Sequence, residues 1–252
     1  MRADDLGADV PLTGPVRRIC SLVPSLTEAL AATAVDRLVG VTDWCTHPAE
    51  LDTLGVRRVR GTKNPDLAAI RELAPELVVA NQEENRELDV RRLREAGIPV
   101  WVTRIETLEE AYASLRRLIT QALGLGVPDW LRAAEAAWAE PAPDRGTAVV
   151  PIWKNPWMVV GADTFTADLL ARLGVRVLTP GPGRYPHAEL DELPVLRPDR
   201  VLLPDEPYAF SADDGPGDFP DLPTVLLSGR ALTWYGPSLV TARSELEAAL
   251  DG

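Results

Sequence analysis

The chain has 252 residues, of which 46% are hydrophobic and 25% charged, a composition typical of a folded globular protein rather than a disordered one. Its 38 acidic residues outnumber its 26 basic residues and give a formal net charge of -12. Because the basic residues are scattered among acids, we expect no nucleic-acid partner. No apolar run approaches the roughly 18 residues that a membrane span needs, so the protein is not expected to be membrane-embedded.

The first twenty residues carry acids and proline where a secretory signal peptide needs an uninterrupted apolar stretch. As written, the sequence therefore predicts a cytoplasmic protein. A signal peptide encoded upstream would instead make the protein extracytoplasmic.

Short β-branched runs alternate with helical patterns through the first hundred residues. The periodicity predicts strands at 17–23, 38–42, 77–80 and 99–103, with helices at 25–34, 65–73 and 84–97. This alternation is typical of a parallel sheet wrapped by helices. Two further helices are predicted at 107–123 and 127–140.

After a proline-rich turn at 141–144 the alternation resumes. We predict strands at 147–153, 157–160, 175–178, 200–203 and 224–227, and helices at 164–173, 188–193 and 237–250. The segment 67–80 can be laid over 190–203, because each reads as a short helix, a proline, an acid and a buried strand.

Together these patterns predict an α/β fold with two Rossmann-like lobes, each built on a parallel sheet and joined by connecting helices. The expected boundaries are an N-terminal lobe at 17–104, connecting helices at 105–141 and a C-terminal lobe at 145–252.

Ligands of open parallel sheets bind outside the carboxyl ends of the strands. Four of the seven tryptophans and three of the four tyrosines fall in the loops that follow the predicted strands. A tryptophan there offers a flat surface that buries much area on a planar ligand, the alternative being packing between loops. The candidate ligand-binding residues are Pro24, Ser25, Trp44, Cys45, Asn81, Glu83, Glu84, Trp153, Lys154, Trp157, Arg184, Tyr185, Glu206, Tyr208, Trp234 and Tyr235.

The two cysteines, Cys20 and Cys45, lack the spacing of a zinc site. Cys20 lies in an apolar strand pattern and is expected to be a buried, inert thiol. Cys45 and His47 are candidate ligands for the metal of a bound chelate, although a structural turn is the favoured interpretation, and His187 is judged in the same way. No phosphate-binding or dinucleotide-binding glycine motif occurs, and no resident cofactor is expected.

The charged candidates have two interpretations each. Glu83, Glu84 and Glu206 have no accompanying nucleophile and base, so we expect them to accept hydrogen bonds from ligand amides or to cap a helix. Lys154 and Arg184 are the basic residues nearest the expected site. They are candidate partners for a ligand phosphate or carboxylate, the alternative being ordinary solvated charges.

Four stretches resemble the helical-backbone (class III) substrate-binding proteins of ABC importers, which bind cobalamin, haem or ferric siderophores. They are ICSLVPSLTE at 19–28, VGVTDWCTHP at 39–48, GADTF at 161–165 and WYGP at 234–237. The cobalamin binders look nearest. The resemblance implies two lobes, a shallow cleft between them that holds one metal-containing ligand, little domain closure and no catalysis.

The resemblance also implies an ABC permease as partner and a monomeric protein, with Glu192 as the candidate docking acid of the second lobe. No clear counterpart occurs at 67–69. The expected function is therefore binding of cobalamin, haem or a ferric chelate, as an importer component or an intracellular carrier. One alternative is a chelatase-like enzyme that uses Glu83, His47 or His187 in the same cleft. Another is a sensor or scaffold whose partner is a protein.

Overall fold

The structure, a computed structural model, describes residues 2–252. The chain divides into two compact units. The first comprises the residues up to Ile105 together with Glu109–Arg132 and Tyr235–Pro237, and the second comprises Glu106–Leu108, Ala133–Trp234 and Ser238–Gly252. Within residues 2–252, none of the helices has the length and apolar character needed to cross a membrane.

The first unit is built mainly from the predicted β/α alternation. Its elements are β1 (Ile19–Ser21), α1 (Pro24–Ala34), β2 (Leu38–Val41), β3 (Arg57–Arg58), β4 (Arg60–Gly61), β5 (Asn64–Pro65), α2 (Leu67–Glu72), β6 (Leu77–Asn81), α3 (Glu87–Glu95) and β7 (Val100–Thr103). Helix α4 (Leu108–Arg117) continues into a π-helical segment at Leu118–Ala122, and α5 (Asp129–Ala137) follows. Short 3-10 helices occur at Val35–Arg37 and Ala49–Leu54.

Five strands form the central sheet of the first unit in the order β3-β2-β1-β6-β7, and every pair in it is parallel. All five residues of β6 are buried, as expected for a strand covered on both faces. The core on one side of the sheet includes Ile70, Val78, Leu93 and Val100. The predicted parallel sheet of this unit is therefore confirmed.

The second unit has a parallel and an antiparallel sheet. Its elements are β8 (Thr147–Val149), β9 (Pro151–Trp153), β10 (Trp157–Val159), α6 (Phe165–Arg172), β11 (Arg176–Val177), β12 (His187–Ala188), α7 (Glu192–Val195), β13 (Arg200–Pro204), a 3-10 turn (Pro216–Asp218), β14 (Thr224–Leu227), α8 (Gly229–Thr233) and α9 (Leu239–Asp251). The parallel sheet has the order β11-β8-β13-β14, and the antiparallel sheet has the order β12-β10-β9.

Three predictions for the second unit are wrong in detail. The strand predicted at 147–153 is two strands, β8 and β9, which belong to different sheets. The helix predicted at 188–193 begins only at Glu192, because His187 and Ala188 pair with β10. Helix α8 was not expected, although Ser228 accepts a hydrogen bond from the backbone N of Ala231 at 3.2 Å as its N-cap.

The internal repeat at 67–80 and 190–203 is present in the backbone. In each copy a short helix ends in a residue with positive φ, 44° at Ala74 and 54° at Arg197, and a proline follows at once. The next strand then pairs in parallel with the first strand of its unit, β6 with β1 and β13 with β8. The two halves therefore repeat the same helix-to-strand connection.

The N-terminal turn covers the free edge of β7. The backbone N of Asp5 donates to Val102 O at 3.1 Å, and the backbone N of Val102 donates to the Asp4 carboxylate at 3.3 Å. Arg94 pairs with the same carboxylate at 2.6 Å, and the Asp4 side chain is fully buried. A buried carboxylate with these partners anchors the turn to the sheet.

We expect Asp4→Ala to lower the free energy of unfolding by about 2–3 kcal/mol, because it leaves the partly buried Arg94 without its buried partner. Urea unfolding followed by circular dichroism measures the change. Asp9→Ala, at an exposed position of the same turn, is the matched control and should change stability by less than about 0.5 kcal/mol. Equal effects of the two substitutions would contradict the anchoring role.

Candidate functional site

Each unit has one point at which the order of its parallel strands reverses, between β1 and β6 in the first unit and between β8 and β13 in the second. Such switch points are where open α/β sheets bind ligands, at the carboxyl ends of the strands. The chain leaves β1 near Pro24 and Ser25, and it leaves β6 at the 81–85 loop. In the second unit β8 leads through β9 to Trp153, and β13 leads to Glu206 and Tyr208.

Asn81 shapes the loop after β6. Its side chain is 3% exposed, and its Oδ1 accepts hydrogen bonds from the backbone N of Glu83 at 2.8 Å and of Glu84 at 3.2 Å. Its Nδ2 donates to Thr103 Oγ1 at 3.0 Å. The Asn81 amide was predicted to meet a ligand, but its polar atoms are engaged in holding the loop.

A β-hairpin that was not predicted, β4–β5, lies beside this loop. Asn85 Nδ2 donates to the backbone O of Leu22 at 3.2 Å and of Thr62 at 3.0 Å, so it ties the loop to the end of β1 and to the hairpin. Gly61 lies against Trp44, since a Cβ at Gly61 would be 3.3 Å from the indole Nε1. Trp44 itself is 66% exposed. The turn residues Gly-Thr-Lys-Asn-Pro at 61–65 were the sequence signal for this hairpin.

Glu83, Glu84 and Lys63 form a charged group at the same strand ends. Lys63 Nζ donates to the backbone O of Glu83. Burial raises the pKa of the Glu84 carboxyl, the neighbouring Glu83 raises it further and Lys63 opposes the shift. A carboxyl such as that of Glu84, with its pKa raised by burial and by a neighbouring like charge, is common at binding sites.

Trp153 stands at the carboxyl end of β9 with 44% of its surface exposed. Its ring meets Tyr208 edge to face, with ring centroids 5.9 Å apart and an interplanar angle of 81°. Tyr208 in turn contacts Phe210, with centroids 4.6 Å apart. The structure thus brings two predicted site residues from separate strands into one aromatic surface, which we call the Trp153–Tyr208 surface.

Lys154 is paired inside the second unit. Its Nζ contacts Asp214 at 2.6 Å and Asp218 at 2.7 Å, and Tyr208 donates its hydroxyl to Asp214 at 2.5 Å. The hydrogen bonds with Asp214 and Asp218 raise the pKa of Lys154. Those from Lys154 and Tyr208 lower the pKa of Asp214. These two ion pairs weigh against the prediction that Lys154 binds a ligand anion, which stays a prediction.

Three of the aromatic residues predicted to contact the ligand are buried. Trp157 is 8% exposed, because β10 turns its ring towards the core, where it stacks on Phe210 with centroids 6.1 Å apart. Trp234 and Tyr235 are each 7% exposed. They follow helix α8 rather than a strand, so the strand-end argument that selected them is wrong. Their ligand contact stays a prediction.

Cys45 points into the first unit rather than towards solvent. It is fully buried, with its Sγ 3.0 Å from Thr27 Oγ1 and 3.1 Å from Thr42 Oγ1. Burial raises the pKa of this thiol, while its hydrogen bonds with the two threonines oppose the rise. A buried thiol kept protonated is a poor metal ligand, which weighs against the predicted ligand contact.

The remaining candidates lie at scattered positions. Arg184 pairs with Glu106 at 2.8 Å, and Tyr185 is half-buried. His47 has its Nδ1 3.0 Å from Thr46 Oγ1, within its turn, and His187 is exposed on β12. Across residues 2–252, no group of three or more His, Cys, Asp or Glu side chains is arranged to hold a metal ion.

The chain shares its fold with periplasmic binding proteins of known structure. The Vibrio cholerae vitamin B12-binding protein BtuF matches 94% of this chain and 97% of its own length at 18% identity and a TM-score of 0.71. A periplasmic heme-binding protein of Pseudomonas aeruginosa gives 24% identity, coverages of 93% and 92% and a TM-score of 0.75. Helicobacter pylori CeuE with Ni(II) bound gives 15% identity, coverages of 98% and 87% and a TM-score of 0.80. At these identities the likeness concerns the fold.

Sequence relatives carry names of the same kind. A vitamin B12-binding protein of Vibrio parahaemolyticus is 31% identical over 105 residues, which are 41% of this chain and 38% of the relative. One of Vibrio campbellii is 24% identical over 208 residues, 79% of this chain and 74% of the relative. This chain thus spans under half the length of the first of these relatives. No family model matches the chain. The relatives are named as binding proteins rather than enzymes.

We expect both thiols to resist modification in the folded protein. Burial raises the pKa of Cys20 to about 12 and also raises that of Cys45, so at pH 8 neither is a thiolate or accessible to reagent. Reaction with a chromogenic disulfide reagent should be roughly 100-fold slower than in urea-unfolded protein, where both should react. Rapid modification of one thiol per folded chain would contradict the burial of Cys45.

The ion pairs of Lys154 predict a range of pH over which the Trp153–Tyr208 surface does not change. The pKa of Asp214 is lowered, so Asp214 stabilises the folded state at any pH above the ordinary aspartate pKa of about 3.9. This stabilisation is lost as the pH falls through the lowered pKa. The pKa of Lys154 is raised, so Lys154 stabilises the folded state at any pH below the ordinary lysine pKa of about 10.4. This stabilisation is lost as the pH rises through the raised pKa.

The fluorescence of Trp153, taken as the difference between wild type and Trp153→Phe, should therefore be constant between about pH 5 and 9 and change below about pH 4. In Asp214→Asn the signal should already differ from wild type at pH 7. A titration of the wild-type signal within the plateau would show that the ion pairs do not control this surface.

Proposed function

We propose that the chain binds one small metal-containing ligand, a cobalamin or similar corrinoid, haem or a ferric chelate, and releases it chemically unchanged. The observation that carries this proposal is the exposure of Trp44 and Trp153, 66% and 44%, at the strand ends of the two units. Large apolar side chains left in water at such positions are typical of binding surfaces.

The aromatic surfaces have a chemistry that fits a macrocycle. An indole offers a broad, flat and rigid apolar face, so it gains contact area with a planar or puckered ring at low conformational cost. Trp44 is backed by the hairpin β4–β5 at Gly61, and Trp153 is backed by Tyr208. Supports of this kind hold a binding side chain in its working orientation.

Each unit also offers polar candidates at its strand ends. Glu83 and Glu84 in the first unit and Glu206 in the second are half-buried at strand ends, where they would accept hydrogen bonds from ligand amides. Pro24 and Ser25 lie at the start of α1, just after the carboxyl end of β1, and would contact the ligand there. The vitamin B12-binding names of the sequence relatives support a corrinoid as the first ligand to test.

We further propose that the protein is monomeric and serves an ABC permease, or acts as a carrier if it remains in the cell. Glu192, exposed on α7, is the proposed docking acid. The structural relatives are described as periplasmic, which supports an extracytoplasmic location for a chain that carries an export signal.

The test is a titration of intrinsic fluorescence with cyanocobalamin, haemin and a ferric siderophore, with ligand recovered and identified afterwards. Trp153→Ala and Trp44→Ala should each weaken binding of the preferred ligand about tenfold, or about 1.4 kcal/mol, because each removes one stacking face. Trp130→Phe is the control, since Trp130 donates its Nε1 hydrogen to Thr33 Oγ1 at 3.1 Å, on the helical side of the first unit.

If neither alanine substitution changes the affinity, the proposed ligand contacts of Trp44 and Trp153 are contradicted. Lack of saturable binding by every probe would overturn the function. Recovery of a chemically altered ligand would favour the enzyme alternative instead.

A further inference from the structure

The two basic side chains expected to attract an anionic ligand are both already paired. Lys154 bridges Asp214 and Asp218 at 2.6 and 2.7 Å, and its side chain is only 19% exposed. Arg184 pairs with Glu106 at 2.8 Å. The carboxylate partners already offset the positive charge of each residue, so neither residue gives an anionic ligand a strong net attraction.

The loop around Lys154 is strongly acidic. Residues 205–221, which connect β13 to β14, include six acids and no lysine or arginine. The acids are Asp205, Glu206, Asp213, Asp214, Asp218 and Asp221. The cation of Lys154 offsets only part of this charge, so the field beside the Trp153–Tyr208 surface repels anions.

Lys154 also has a geometrical role. It lies in the turn between β9 and β10, whereas Asp214 and Asp218 lie in the loop after β13, 60 and 64 residues away in sequence. Asp214 accepts hydrogen bonds from both Lys154 and Tyr208, and Tyr208 contacts the Trp153 ring. One carboxylate therefore joins both halves of the aromatic surface.

We infer that Lys154 is a positioning residue for the Trp153–Tyr208 surface, and that this surface selects neutral or cationic metal chelates against those that carry free carboxylates. The inference rests on the proposed binding function and narrows its ligand class. An amide-bearing corrinoid meets the requirement, whereas haem, with two propionates, does not.

The first experiment compares cyanocobalamin with its monocarboxylate isomers, in each of which one side-chain amide is replaced by a carboxylate. We expect the wild-type protein to bind at least one isomer three- to tenfold more weakly than cyanocobalamin at low salt. The penalty should shrink at high salt and in the Asp214→Asn/Asp218→Asn double variant, since it arises from repulsion.

The second experiment uses Lys154→Met, with Arg91→Met as control because Arg91 carries the same charge on α3, where it pairs with Glu95 at 3.7 Å. Lys154→Met should weaken binding of neutral cyanocobalamin about three- to tenfold. It should also raise acrylamide quenching of Trp153, measured against a Trp153→Phe background. Arg91→Met should change neither quantity.

The outcomes separate the two proposals. If wild-type protein binds all monocarboxylate isomers as tightly as cyanocobalamin, charge selection is overturned while the binding function stands. If Lys154→Met weakens only the carboxylate probes, Lys154 is a ligand contact and not a positioning residue. If no probe binds at all, the proposed function fails and this inference fails with it.

Discussion

The constraint on which the rest of the structure depends is the parallel pairing of the first strand of each unit with neighbours on both sides. β1 lies between β2 and β6, and β8 lies between β11 and β13. Parallel strands end at a common edge, so the residues that follow them are delivered to one place whatever their separation in sequence. The repeated connection from α2 to β6 and from α7 to β13 gives both units this same construction.

The two units support their exposed indoles by different chemistry. In the first, the loops are held by neutral amides, since Asn81 and Asn85 bond to backbone and to neighbouring strands. In the second, the support is ionic, because Lys154, in the turn between β9 and β10 that follows Trp153, pairs with Asp214. Ionic support brings a net negative charge to the surface that it orders, and this charge links the rigidity of the surface to its choice of ligand.

Prediction from sequence succeeded for apolar strands such as β6 and β14, because the residue types along each strand indicate it without knowledge of its partners. It failed for β12, β4–β5 and α8, which are too short to show a clear periodicity. Strand β12 also depends on a distant partner, since His187 pairs with Met158. The same division holds in the site. The strand-end rule identified the exposed tryptophans Trp44 and Trp153, but it also selected Trp157, which faces the core.

The sequence by itself determined the β/α alternation, the internal repeat, the acidic charge and the positions at which strands end, because each depends on residue type and spacing along the chain. Only the tertiary structure decided which aromatic side chains stay exposed to solvent and which carboxylates pair with the candidate cations. Exposure depends on the face to which a Cβ is turned by strand pairing. Pairing depends on partners such as Asp214, 60 residues from Lys154, which no local pattern identifies.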